Sequence, residues 1–132
     1  MPYSLAIDHE NRRVTCVGHG VVTFADIALY IAERIKQGAY SYPQLIDARF
    51  ATVDFPPRES LSATVMEARR HTKAGPVPRT AILAVEGTVN FGFARQVATE
   101  LGFSNATVEV FTNEFEAECW LAGQIEEQGS VE

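Results

Sequence analysis

The sequence predicts an α/β fold, a small mixed, mostly parallel sheet with an N-terminal β-hairpin and four helices. Three observations predict it. Period-two apolar alternation opens the chain, short apolar runs recur near 45–48, 81–85 and 107–111, and amphipathic helical stretches separate those runs. Alternating βα units after a hairpin require parallel strands joined by crossovers.

Tyr3, Leu5 and Ile7 alternate with Ser4, Ala6 and Asp8, the pattern of a half-buried strand. Glu10-Asn11 supplies turn chemistry, and Val14 to Val17 returns as the second strand. Thr23 then starts a helix, with Asp26 three residues later in a capping-box arrangement. Phe24, Ile27, Ala28, Ile31 and Ile35 form its apolar face; Glu33, Arg34 and Lys36 are assigned to the other side, and Gly38 stops it. Leu45-Ile46-Asp47-Ala48 reads as a buried central strand. A second helix is expected after Pro56-Pro57, with Leu61, Val65 and Ala68 inward, ended by Gly75-Pro76-Val77-Pro78.

Ala81 to Val85 is the next strand. After Gly87 a third helix places Phe91, Ala94, Val97, Ala98 and Leu101 on one face and stops at Gly102. Thr107 to Phe111 closes the sheet. Asn113 with Glu116 caps the last helix, whose apolar side is read as Phe115, Cys119, Trp120 and Ala122.

The 132 residues fit one domain, expected over 1–125, with 126–132 a polar tail. A chain of this size buries roughly two-thirds of its unfolded surface, enough for a core without staples. Hydrophobic residues make up 46% and charged residues 21%, a globular balance. A net charge of −6 opposes general affinity for nucleic acid or anionic membrane. Two cysteines, Cys16 and Cys119, make no disulfide framework and read as buried small hydrophobes. No apolar stretch approaches the ~20 residues that span a bilayer, and no signal-peptide pattern opens the chain. The expected compartment is the cytoplasm.

Three groups of residues, taken in order, carry a family resemblance. They are Leu45-Ile46-Asp47-Ala48-Arg49; Arg79-Thr80-Ala81-Ile82-Leu83 followed by Gly92-Phe93-Ala94-Arg95; and Val110-Phe111 with Glu116-Ala117 and Trp120-Leu121. Together they resemble the STAS superfamily, the fold of bacterial anti-sigma-factor antagonists, and within it the uncharacterised SpoIIAA-like (STAS/SEC14-like) branch. The resemblance spans nearly the whole chain. It implies a non-enzymatic binding or regulatory domain that acts through protein contacts, as a homodimer or with another protein. One departure matters. Antagonists of this family carry a phosphorylatable Ser after an Asp at the start of the second helix, where this chain reads Asp54-Phe55-Pro56-Pro57-Arg58-Glu59-Ser60. A phosphate switch needs a hydroxyl there, and Phe55 has none. Ser60 and Ser62 read as ordinary helix residues.

The chemistry-bearing residues are sparse. His9, His19 and His71 fall in three elements with no zinc-ligand spacing, so no metal is expected. No Gly-x-Ser-x-Gly occurs, and no catalytic residue or cofactor is assigned. Gly87 to Gly92 joins a strand to a helix, so its amides read either as a receiver for an anion or as a tight turn with Thr88 or Asn90 as helix cap; it lacks a P-loop lysine and the three spaced glycines of a dinucleotide turn. Arg69-Arg70-His71-x-Lys73 is read as a solvated helix end suited to the dipole, or else as a contact for an acidic partner.

Two constellations remain. Asp47, Arg49, Asn90, Gly92 and Arg95 fall at strand exits, where open α/β sheets place ligands. They read either as one shallow polar ligand site or as an internal ion pair that fixes loops. Phe50, Phe55, Phe91 and Phe93 fall near the same end and read as a pocket lining, a dimer contact or a core lid. Besides protein contacts, two functional readings follow: a carrier of a small apolar or amphipathic ligand, and an enzyme using Asp47 and Arg95 on an anionic substrate.

Overall fold

The computed structural model describes residues 2–53, 66, 70, 78–102 and 107–123. In chain order the elements are β1 (Tyr3–Asp8), β2 (Arg13–Val22), α1 (Phe24–Lys36), β3 (Gln44–Val53), β4 (Thr80–Leu83), α2 (Val89–Gly102), β5 (Val108–Phe111) and α3 (Glu114–Leu121). Met66 and Arg70 are helical. The rest of the helix expected around Leu61, Val65 and Ala68 lies outside the described residues, as do 54–60 with Phe55, His71, and the tail at 126–132.

The strands form one sheet in the order β1-β2-β3-β4-β5. β1 and β2 pair antiparallel as the hairpin, and every later pairing is parallel. The hairpin loop is held by Asp8, whose carboxylate accepts from the Asn11 backbone N–H at 3.0 Å and its side-chain amide at 2.8 Å. The sheet is thus the mixed, mostly parallel one that the alternating βα pattern predicts.

Helices cover both faces. Val14 and Cys16 of β2 pack with Tyr30 and Ile31 of α1 and with Ala39 and Tyr40 beyond it. Strand alternation sends Leu45, Ala81 and Leu83 to the other face, against Ala117, Trp120 and Leu121 of α3. A fully buried Val or Leu among them, such as Val14 or Leu83, contributes about 1.5–3 kcal/mol. Arg79 fastens α3 to the sheet. Its Nη2 donates to the Trp120 carbonyl at 2.7 Å while its guanidinium stacks 4.0 Å above the indole.

α1 starts as its sequence predicts. Thr23 Oγ1 accepts from the Asp26 backbone N–H, and Asp26 Oδ2 accepts from the Thr23 backbone N–H at 2.8 Å, a complete capping box. Gly38 follows at φ 71°, a left-handed position suited to glycine.

Several expectations need correction. β2 continues past Val17 to Val22, with a register shift between Val17 and His19. Glycine reads as a breaker, yet Gly18 is what permits the pairing, since a Cβ there would lie 3.1 Å from the Ala51 Cβ. β3 likewise runs to Val53 rather than ending at Ala48, because β2 pairs with it along its length. β4 is shorter than 81–85, and Val85 has left the sheet. On α3 the buried residues are Ala117, Trp120 and Leu121; Phe115 and Ala122 face solvent and Cys119 is only partly buried. Arg34, assigned to the polar side of α1, is buried.

Candidate functional site

Asp47 is the last β3 residue paired on both sides, with Val17 of β2 and Leu83 of β4. Its carboxylate is wrapped by Arg49. The Arg49 Nε donates to Oδ1 at 2.9 Å, Nη2 to Oδ2 at 2.8 Å, and the Arg49 backbone N–H to Oδ1 at 3.1 Å. Nη2 also reaches Glu114 Oε1 at 3.2 Å, on the first turn of α3. This fork geometry is the strong form of a charge-assisted pair. The Arg49 hydrogen bond holds the Asp47 carboxyl below the ordinary carboxylate range, and Asp47 in turn holds the Arg49 guanidinium above its usual value. A carboxylate so occupied is a poor proton acceptor.

The other predicted residues have separate places. Thr88 caps α2, its Oγ1 accepting from the Phe91 backbone N–H at 3.2 Å. Asn90, in the first turn, donates its side-chain amide to the Ala51 carbonyl at 2.6 Å and the Ala48 carbonyl at 3.3 Å. The Gly92 N–H is spent in a helical bond to the Thr88 carbonyl. Arg95 is exposed and stacks over Phe91 at 5.7 Å, outside the Asp47 network. The structure therefore brings Asp47 and Arg49 together with Glu114, and pins Asn90 to β3. Of the phenylalanines at this end, Phe50 faces solvent, Phe93 faces inward and Phe91 is half-buried, and Phe55 lies outside the described residues. His9 binds the Tyr42 hydroxyl at 2.8 Å, and His19 lies 3.4 Å from Ser4 Oγ.

Between one face of the sheet and helices α1 and α2 lies a cavity of about 230 Å³. Its walls are mainly apolar, including Ile27, Ile46, Ile82, Phe93 and Val97. A chain of hydrogen bonds runs along one side: the Tyr30 hydroxyl donates to Gln44 Oε1 at 2.5 Å, Gln44 Nε2 donates to Thr80 Oγ1 at 2.8 Å, and the Thr80 hydroxyl donates to the Pro78 carbonyl at 2.7 Å. Burial raises the Tyr30 hydroxyl pKa, so this chain stays neutral.

Arg34 also lines the cavity and is only 2% exposed. Its Nη2 donates to the Tyr40 carbonyl at 2.5 Å, and its Nε has no acceptor among the described residues. The rings of Tyr30 and Tyr40 stand 5.4 and 5.0 Å from the guanidinium carbon. Cation–π contacts of this kind offset about 0.5–2 kcal/mol, less than the several kcal/mol that a buried unpaired ion costs. Burial lowers the Arg34 pKa, though an arginine keeps its charge. The composition of α1 hid this residue, but its spacing shows it. Arg34 lies three positions after Ile31 and four after Tyr30, on the same helical stripe.

No family model matches the chain, and no curated protein matches it. Solved structures do. Over 90% of this chain and 93% of the other, it superposes with a TM-score of 0.59 and 15% identity on an uncharacterised protein of the DUF3478 family from Shewanella loihica PV-4, which has a SpoIIAA-like fold. It also matches the anti-sigma factor antagonist SpoIIAA in its unphosphorylated form, with a TM-score of 0.51 and 15% identity, over 92% of this chain and 98% of that one. Both likenesses cover nine-tenths or more of each chain, and they show the fold: this chain has the SpoIIAA-like fold.

Proposed function

We propose that this chain is a non-enzymatic binding domain that works through protein contacts at the carboxyl end of its sheet, first of all with a second copy of itself. The observation that carries this is the placement of exposed apolar side chains. Of seven large hydrophobics exposed among the described residues, five lie at that end: Val21 on β2, Phe50 on β3, Val85 after β4, Val89 at the start of α2 and Phe115 at the start of α3. Val89 is 84% exposed and Phe50 64%. Clustered apolar exposure beside charged residues is typical of contact surfaces. The polar groups nearby support the same reading, because Asp47, Arg49 and Asn90 are engaged with their neighbours and leave little for bond-breaking chemistry. One structural neighbour, the anti-sigma factor antagonist, is named for action on another protein.

Size-exclusion chromatography with light scattering tests the proposal. The wild type is expected at twice its 14.5 kDa chain mass, and the double variant Phe50→Asp, Val89→Asp at the monomer mass. A wild-type monomer at every concentration would remove the self-contact, and an unchanged dimer in the variant would move it elsewhere.

The cavity favours a second reading, a carrier of a small apolar or amphipathic ligand. Native mass spectrometry of freshly purified protein separates the two: a stoichiometric adduct supports the carrier, and a bare chain mass opposes it.

A further inference from the structure

We infer that the cavity is a binding site for a small apolar carboxylate, with Arg34 as the anchor of its head group. The inference rests on the carrier reading and narrows it to one chemical class. Arg34 is held in place before any ligand arrives. Tyr30 and Tyr40 flank its guanidinium, and Tyr30 is itself fixed through Gln44 and Thr80 to the Pro78 carbonyl. One Nη2 bond goes to the Tyr40 carbonyl, while the Nε–H has no acceptor among the described residues. No carboxylate among them pairs with it. The two acids on the cavity wall are committed elsewhere, Asp26 to Thr23 and Asp47 to Arg49.

A positioned cation with a spare donor, set in apolar walls, is complementary to one negative charge on an apolar body. A planar carboxylate meets that description. A phosphate monoester would bring a second charge that one guanidinium leaves unbalanced, and a neutral alcohol would leave the guanidinium uncompensated. The size agrees. At about 30 Å³ per water-sized unit, 230 Å³ holds roughly eight non-hydrogen atoms, the scale of a short fatty acid or an aromatic acid.

Hexanoate and hexanol, titrated into the whole chain and followed by calorimetry and by the ¹⁵N–¹H resonance of the Arg34 Nε, make the test. Hexanoate is expected to bind at least tenfold tighter than hexanol and to shift that resonance, and Arg34→Met is expected to erase the preference. Equal affinities, a preference that survives in the variant, or an unmoved Arg34 resonance with hexanoate bound would overturn the role of Arg34 and leave the carrier reading standing. Failure of both probes to bind would overturn the two together. If Arg34→Met does not fold, the wild-type affinity ratio and the Arg34 resonance decide the matter without it.

Discussion

Arg49 turns back on Asp47, two residues earlier on the same strand, and satisfies both carboxylate oxygens with one guanidinium. The same nitrogen that closes this fork reaches Glu114, so a local pair on β3 also tethers the first turn of α3. The side chains grade outward from a nearly buried Asp47 through Arg49 to an exposed Glu114. Most of the energy therefore lies in the inner pair, since exposed ion pairs contribute about 0–1 kcal/mol.

The inner pair makes stability depend on pH. An unfolded Asp titrates near pH ~3.9, and Asp47 in the fold titrates lower. Its contribution is full above the unfolded value and is lost as pH falls through the folded one. Asp47→Asn is expected to cost about 2 kcal/mol at pH 7 and much less near pH 2, read from urea denaturation at both pH values. An equal loss at both would show that the charge is irrelevant.

Asn90 is expected to matter for stability in proportion to the carbonyls it serves. Asn90→Ala leaves the Ala48 and Ala51 oxygens without this donor and should cost about 1–3 kcal/mol in a denaturant melt. Asn90→Asp, which points a carboxylate at the same two oxygens, should cost more. A neutral alanine variant would mean that water replaces the amide without loss.

The two cysteines should react unequally. Burial pushes the Cys16 thiol up to about 12, whereas Cys119 is partly open on α3. One thiol per folded chain is expected to react promptly with a disulfide reagent near pH 8, and both after unfolding. Mass mapping of the labelled peptide should find Cys119; finding Cys16 first would contradict the packing of β2 under α1.

Arg34→Met is expected to leave the chain as stable as wild type or up to about 4 kcal/mol more stable, since it removes a buried charge that no carboxylate balances. Thermal melts check this. A strong loss of stability would mean that the Tyr30 and Tyr40 rings and the Tyr40 carbonyl already compensate the cation.

Much of this architecture was legible in the sequence because alternation and helical spacing report burial directly. The hairpin, the Thr23–Asp26 cap and the central strand at Leu45 all follow from local pattern. The lengths of β2 and β3 did not, because Gly18, Gly20 and Arg49 are breakers or polar residues by type, and the two strands continue past the register shift at Gly18 only by pairing His19 to Val22 with Phe50 to Val53. Of the candidate site, Asp47 and Arg49 were found by position at a strand exit. Glu114 was not, since only the tertiary fold brings α3 within reach. Arg34 is polar by type and inward only by spacing, three and four positions from Ile31 and Tyr30 on one helical stripe.

β3 outlasts β4. Its ladder to that neighbour ends at Asp47, while the strand itself goes on to Val53. Among the described residues, the six from Ala48 to Val53 run on with no strand paired on that flank, the kind of seam along which a foreign strand could zip. Asn90 latches onto two of the seam's oxygens from the side, doing for them what another strand would do. Without that latch the same two oxygens would stand as open acceptors on the edge of the strand.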